Sequence, residues 1–400
     1  MSKIEQFDAV VVGGGPAGAT AATDLARQGH RVLLLERGGR IKPCGGAIPP
    51  RLIEEFGIPH DLLVARINSA RMISPADQRV DMPIDDGFVD MVDCDVFDPW
   101  LRDRARAAGA EVRTGTFEGM QRTDDGKVTV SYQQVDAQGQ AHISKARTAA
   151  VIGADGAKSK VARQSVPDAD KIPCVAAYHE IVESPPEGGN ADFDGRRCDV
   201  WYQGRLSPDF YAWVFPHGDK TSIGVGTAQR GYSLRGAVRE LRESIGLEGA
   251  TTVRCEGAPI PLRPLKRWDD GRNVVLAGDA AGVVAPASGE GIYYAMAGGR
   301  FAAEAVMEFL ATANPVALRK ARKRFMRNHG KVFWVLGIMQ RFWYANDKRR
   351  ERFVSICRDP DVQYLTWEAY MHKRLVKARP AAHMRIFFKD LAHLLGVVRP

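Results

Sequence analysis

The feature that most constrains this chain lies at its start, in the run FDAVVVGGGPAGATAATDLARQGHRVLLLER. Phe7 to Val12 is apolar without alternation, as a strand buried on both faces reads. Pro16 to Gln28 reads as a helix with proline at its first position, and Arg31 to Glu36 as a second buried strand. Between strand and helix stand Gly13, Gly15 and Gly18 in G-x-G-x-x-G spacing. Gly13 permits the tight turn, Gly15 lets a pyrophosphate approach the backbone, and Gly18 lets helix and strand pack closely. Pro16 and Ala17 open the helix, whose N-terminal N–H groups face the phosphate charge. Glu36, at the end of the second strand and followed by Arg37, accepts hydrogen bonds from ribose hydroxyls. A glycine triplet alone arises often by chance. Strand, triplet, helix, strand and acid in register predict a βαβ unit that binds a dinucleotide.

At 400 residues the chain exceeds what one core usually serves, so two or three structural units are expected. Apolar residues at 45% and charged residues at 26% exclude disordered, collagen-like and integral membrane classes. The net charge of +8 is unevenly placed: Lys and Arg outnumber Asp and Glu by more than two to one after residue 300, and the preceding part is slightly acidic. Such a basic quarter suits anionic lipid, an acidic substrate or simply a solvated helical surface. No nucleic-acid partner is expected. The six cysteines have no close pairs of metal-site or redox spacing, so neither a metal nor a disulfide is expected. The start MSKIEQFDAVVVGGG lacks a signal-peptide pattern, which makes the expected location cytoplasmic. Val332 to Gln340 is well short of the roughly 20 residues needed to span a bilayer, so membrane contact would be peripheral.

Residues 66–93 show short extended runs broken by Pro and Asp-Gly, as an antiparallel excursion would. A helix from Pro99 to Ala108 follows. EVRTGTFEGM, KVTVSYQQV and ARTAAVIGADG then read as a β-meander returning to the first sheet. Residues 174–262 are strand-rich, with a hairpin in YAWVFPHGDKTSIGVGTA whose turn is placed at His217-Gly218-Asp219 and an amphipathic helix in SLRGAVRELRESIG. From Ala303 onward the pattern is helical, basic and aromatic.

Two later segments resemble fingerprints of FAD proteins of the aromatic-hydroxylase superfamily. In VIGADGAKSKVAR, Asp155 and Gly156 follow a strand and Arg163 lies on the next helix. In NVVLAGDAAGVVAPASGEGIYYAMAGGR, Gly278-Asp279 ends a buried strand and Gly289-Glu290-Gly291 opens a long helix. The resemblance implies that the acid holds the ribityl chain, and that N–H groups at Gly291 and Ile292 stabilise negative charge on the reduced ring. FDPWLR resembles the superfamily helix whose arginine lies beside FAD. Arg102 is therefore either a cofactor contact or an ordinary surface residue. Gly282 stands where many hydroxylases of the superfamily carry histidine, which counts against hydroxylation.

KPCGGAIP and the P-x-x-Y-x-W-x-F-P pattern from Pro208 to Pro216 narrow the resemblance to the geranylgeranyl reductases of chlorophyll and bacteriochlorophyll synthesis. That resemblance covers roughly residues 7–300. It places Cys44, Gly45 and Gly46 beside the flavin ring, where glycines allow close backbone approach. Cys44 is a proton donor, a gate or a small packing residue. Alternation sets Tyr211, Trp213 and Phe215 on one face, either as the wall of a prenyl pocket or as plain sheet core.

The fold class expected is α/β with mixed α+β character. A Rossmann-like FAD-binding domain of three-layer ββα architecture takes 1–65, 95–172 and 265–305. An antiparallel β-sheet substrate domain takes 66–94 and 173–264, and a C-terminal helical region takes 306–400. The resemblance implies FAD and NADPH as cofactors, and geranylgeranyl-bacteriochlorophyll or geranylgeranyl diphosphate as substrate, saturated to phytyl. It also implies peripheral contact with a photosynthetic membrane, for which KVFWVLGIMQRFWYANDKRRERF is the candidate segment; a helical lid is its rival. An FAD monooxygenase or epoxidase, an archaeal-type lipid reductase and a prenyl-lipid escort are the alternative functions.

Overall fold

The computed structural model describes residues 4–39, 41, 43–85 and 87–373. Lys42 of the KPCGGAIP segment and residues 374–400 of the expected C-terminal region lie outside the described residues. The chain runs through β1 (Glu5–Val12), α1 (Pro16–Arg27), β2 (Val32–Glu36), β3 (Ala47–Ile48), α2 (Pro50–Phe56), β4 (Ala65–Ile67), β5 (Ser69–Ile73), β6 (Arg79–Pro83) and β7 (Val89–Met91). It continues through α3 (Cys94–Ala107), β8 (Glu111–Thr114), β9 (Thr116–Arg122), β10 (Val128–Val135), β11 (Ala141–Gly153), α4 (Lys160–Ser165), β12 (Cys174–Glu183) and β13 (Arg197–Trp201). Then come β14 (Ala212–His217), β15 (Lys220–Thr227), α5 (Leu234–Ser244), β16 (Thr252–Pro261), β17 (Val274–Leu276), α6 (Ile292–Thr312), α7 (Arg319–Trp343), α8 (Asp347–Ile356) and α9 (Pro360–His372). Two compact units divide it. One holds the described residues of 1–42, 94–174 and 260–330; the other holds those of 43–93, 175–259 and 331–400.

In the first unit, β8, β2, β1 and β11 lie side by side in parallel, and β17 pairs with the end of β11. β11 serves two partnerships. Its residues from Ala141 to Thr148 pair antiparallel with β10, and those from Ala146 to Gly153 pair in parallel with β1. The sequence explains the division, because the first part is largely exposed whereas AAVIG is buried almost throughout. α1 packs against α3 and α6. Small residues permit this: Ala19, Ala21 and Ala22 are wholly buried, and a Cβ on Gly299 of α6 would lie 2.1 Å from the Ala17 carbonyl oxygen.

The helix expected from Pro99 instead starts at Cys94. Pro99 removes one backbone hydrogen bond near the helix start, while Cys94, Phe97, Leu101 and Ala105 bury one helical face. That burial outweighs the lost bond.

In the second unit a seven-stranded sheet has the order β16-β12-β15-β14-β13-β5-β6, and β3, β7 and β4 form a smaller one. The excursion at 66–93 is not a self-contained antiparallel piece. β5 joins β13 in parallel, with Ala70 opposite Cys198, and brings the β5–β6 hairpin to the edge of the larger sheet. One face of that sheet carries Ala212, Val214, Ile223 and Val225, which form a core with Ala237, Val238 and Leu241 of α5. Alternation sends Trp213, Phe215, Ser222 and Gly224 to the other face. Among the described residues no helix is long and apolar enough to cross a membrane.

Candidate functional site

The glycine turn of the first unit is built as its spacing requires. Gly13 has φ +103°, and a Cβ there would lie 2.3 Å from the Ala154 carbonyl oxygen. A Cβ on Gly18 would lie 1.9 Å from the Gly13 oxygen. Gly15 differs, since nothing stands within 4 Å of its would-be Cβ. It is the N-cap of α1, makes no side-chain cap, and precedes a first turn without acidic residues. Pro16 and Ala17 begin that turn, which leaves N–H groups and positive helix-end charge facing an open approach. This is the cradle that a pyrophosphate fits.

Glu36 and Arg102 hold the turn from two sides. The Gly14 N–H donates to Glu36 Oε2 at 2.6 Å, and Arg102 Nη1 donates to the Gly14 carbonyl at 3.2 Å. Arg102 is thus tied to the glycine turn rather than lying loose on its helix. Arg37 stands exposed beyond β2.

The later fingerprints have unequal structural roles. Asp155 accepts hydrogen bonds from Ser159 Oγ and from the N–H groups of Lys160 and Val161, at 2.7 and 3.2 Å for the latter two. It therefore anchors the start of α4, an assignment that an Asp-Gly pair in sequence does not distinguish from a ligand contact. Gly278 has φ +62°, and its would-be Cβ lies 2.7 Å from Ala17 Cβ, so the Gly278-Asp279 turn abuts the start of α1. A Cβ on Gly291 would lie 3.9 Å from Asp279 Oδ1. Asp279 is thus brought together with Gly291, the uncapped N-cap of α6, and with Ile292, its first residue. Gly289, with φ +66°, donates to Ala285 and closes the loop before them. Gly282 has φ +79° and would press a Cβ to 2.3 Å from the Arg263 carbonyl oxygen, so this backbone has no place for histidine there.

The aromatic strand lies in the second unit. Tyr211 and Trp213 ring centroids are 6.0 Å apart, and Trp213 and Phe215 6.3 Å. The ladder is opposite the α5 core. Trp213 lies flat on the sheet because Gly224 has no side chain; a Cβ there would lie 2.2 Å from the indole. Trp213 Nε1 donates to Ser222 Oγ at 3.1 Å. Behind it, His179 Nδ1 meets Ser222 Oγ at 2.9 Å and His179 Nε2 meets Glu256 Oε2 at 3.1 Å. The carboxylate can only accept, so Nε2 carries hydrogen, and in the neutral ring the Ser222 hydroxyl donates to Nδ1. Burial pushes the phenols of Tyr202, Tyr211 and Tyr344 well above their ordinary range, so these phenols stay neutral.

The Cys44–Gly46 loop belongs to the same unit. Gly46 N–H donates to Cys44 Sγ at 3.2 Å, and a Cβ on Gly45 would stand 3.4 Å from the Phe215 ring. The hairpin is tighter than the expected turn. His217 ends β14 and pairs with Lys220, leaving Gly218 and Asp219 as the connection. His217 is buried, and its Nδ1 lies 2.8 Å from Asp93 Oδ1. Asp93, His179 and Ser222 do not figure in the sequence reading, and His217 does so only as a turn residue. A one-residue shorter turn would have placed His217 on the face of Trp213 and Phe215.

Residues 6–169 match the FAD binding domain family. The chain is 58% identical to a geranylgeranyl diphosphate reductase of Rhodobacter capsulatus, over 99% of each chain. It is 37% identical to one of Synechocystis, over 96% of this chain and 97% of that one. A geranylgeranyl bacteriochlorophyll reductase-like protein from Thermoplasma acidophilum shares the fold, with a TM-score of 0.80 at 22% identity over 95% of this chain and all of the other. With the glycine cradle, the acid-lined turn and the aromatic strand in place, the chain belongs to the geranylgeranyl diphosphate reductase family of FAD-binding oxidoreductases.

Proposed function

We propose that this protein saturates double bonds of a geranylgeranyl chain, carried as the diphosphate or esterified to bacteriochlorophyll, with electrons from NADPH. The observation that carries this reading is the 58% identity to the Rhodobacter capsulatus reductase along essentially the whole of both chains. FAD supplies the hydride transfer that no side chain can store. The chain's own residues bind, orient and protonate. The approach over Gly15 admits a pyrophosphate, and Glu36, with Oε2 on Gly14, has its other oxygen for a ribose hydroxyl. Asp279 suits the ribityl chain, and the N–H groups of Gly291 and Ile292 favour negative charge at the α6 end. Asp155 acts by anchoring α4.

Tyr211, Trp213 and Phe215 offer an uncharged wall to an apolar chain, with Gly45 and Gly46 alongside Phe215 and His217. Cys44 or a water delivers the proton. Peripheral membrane contact is part of this reading. Trp334 and Ile338, one turn apart on α7, are 69% and 48% exposed, and Lys348 and Arg349 follow. Arg350 has a different task, donating to Tyr344 O and Asp347 from a buried position.

The test is NADPH consumption by purified holoprotein without oxygen. Consumption that depends on added geranylgeranyl diphosphate is expected. Consumption only in air, with an oxygenated product, would move the chain to the monooxygenase reading.

A further inference from the structure

The Asp93–His217 pair has features that packing alone does not explain. His217 is 4% exposed, and its Nε2 has no hydrogen-bond partner among the described residues. Leaving a polar nitrogen buried in this way costs about 1–3 kcal/mol, which an apolar side chain of similar size would avoid. The other nitrogen is fixed by Asp93 Oδ1 at 2.8 Å. Since a carboxylate accepts, Nδ1 carries the hydrogen, and in the neutral ring Nε2 is the basic atom.

The position of that atom is specific. Trp213, Phe215 and His217 alternate onto one face of β14, so the imidazole is the next rung after the aromatics. The Cys44–Gly46 loop runs along the same rungs. A Cβ on Gly45 would meet the Phe215 ring, and one on Gly46 would lie 2.3 Å from His217 Cε1 and 3.1 Å from Nε2. Gly46 has φ +70° and bonds through its N–H to Cys44 Sγ, so imidazole and thiol both touch one residue. Other charges facing the pair come from Lys220, whose Nζ is 3.8 Å from Asp93 Oδ2, and from Arg254 on β16.

We propose that His217, oriented by Asp93, is the proton carrier of the reduction, holding at Nε2 the proton that is delivered at the Cys44–Gly46 loop. The inference rests on the reductase reading above. Each saturation breaks one carbon–carbon π bond and forms two C–H bonds, one from the hydride whose electrons NADPH supplied and one from this proton. The imidazolium becomes neutral imidazole and is recharged from water. Asp93 is a positioning residue that keeps Nε2 as the titrating atom.

The test uses full-length holoprotein, reduced anaerobically with NADPH and mixed with geranylgeranyl diphosphate across about pH 5 to 9, which spans the roughly pH 5 to 8 window of an ordinary imidazole. Saturation in a single turnover is expected to slow at high pH in the wild type. His217→Gln is expected to slow it at least tenfold and abolish that pH dependence, while Asp93→Asn moves the limb to lower pH. NADPH reduction of the flavin, measured without the prenyl substrate, should remain within twofold. Histidine NMR of the wild type gives a readout independent of turnover and of variant folding, and should show the Nδ1–H tautomer titrating at Nε2. An unchanged rate and pH profile in His217→Gln, or an Nε2–H ring that does not titrate, would overturn the proposal alone. Wild-type protein that accepts electrons from NADPH but saturates nothing would overturn the reductase reading and this proposal with it.

Discussion

Gly15→Ala and Gly18→Ala separate two duties within a single turn. Gly15 has φ −78° and open space, so alanine there should leave the melting temperature unchanged. It should weaken FAD binding by about tenfold or more, equivalent to about 1.4 kcal/mol, measured by titrating apoprotein with FAD. At Gly18 the new Cβ meets backbone at 1.9 Å, and the loss should fall on folding, about 3 kcal/mol or more. Asp93 gives a pH-dependent case. Burial would raise its carboxyl, but the hydrogen bond from His217 and the charges of His217, Lys220 and Arg254 outweigh that and hold it below its ordinary range. The folded carboxylate is thus favoured, and its stabilisation is present above the unfolded value of about 3.9 and lost as pH falls through the lower folded value. Asp93→Asn should cost about 2 kcal/mol near neutral pH, and the difference from wild type in urea unfolding should vanish in acid. The glycine fingerprint was legible because it is a backbone demand that few other sequences meet. Asp155 was legible as important but not in its role, because an aspartate before a helix reads alike whether it caps the helix or meets a ligand.

At the scale of elements, β14 and β15 act as one device. Trp213 occupies the space that Gly224 leaves, so Gly224→Ala should displace the indole, cost about 1–3 kcal/mol and change the tryptophan emission without touching the glycine cradle. Ser222→Ala should shift the same emission, because it removes the hydrogen-bond partner of Trp213 Nε1 and with it that of His179 Nδ1. The strand pattern and the helix α5 could be read from local periodicity. The parallel pairing of β5 with β13 could not, since it joins segments far apart in sequence and depends on which edge is available. The two-residue connection at Gly218-Asp219 was missed because His217 is polar, and polar residues beside Gly-Asp read as turn. That one-residue difference hid His217 from the ladder face.

For the whole molecule, the uneven charge marks the described C-terminal helices but does not assign every cation to a surface. Arg350 is 1% exposed and holds the second unit together, so reversing its charge should unfold that region. Lys348→Glu with Arg349→Glu is the informative pair, expected to weaken binding to anionic liposomes by about thirtyfold or more, from about 1 kcal/mol for each of the two cations lost, with activity on geranylgeranyl diphosphate retained. Unchanged liposome binding would remove these residues from the membrane reading. Composition and motif order disclosed the fold class and FAD, whereas the way β14, β15 and the Cys44–Gly46 loop bring their side chains together depends on strand pairing that local sequence does not reveal. The most direct measurement is anaerobic incubation of the holoprotein with NADPH and geranylgeranyl-bacteriochlorophyll, followed by the mass of the tail. Gain in two-hydrogen steps is the expected result; an unchanged tail without oxygen, together with an oxygenated one in air, would contradict it.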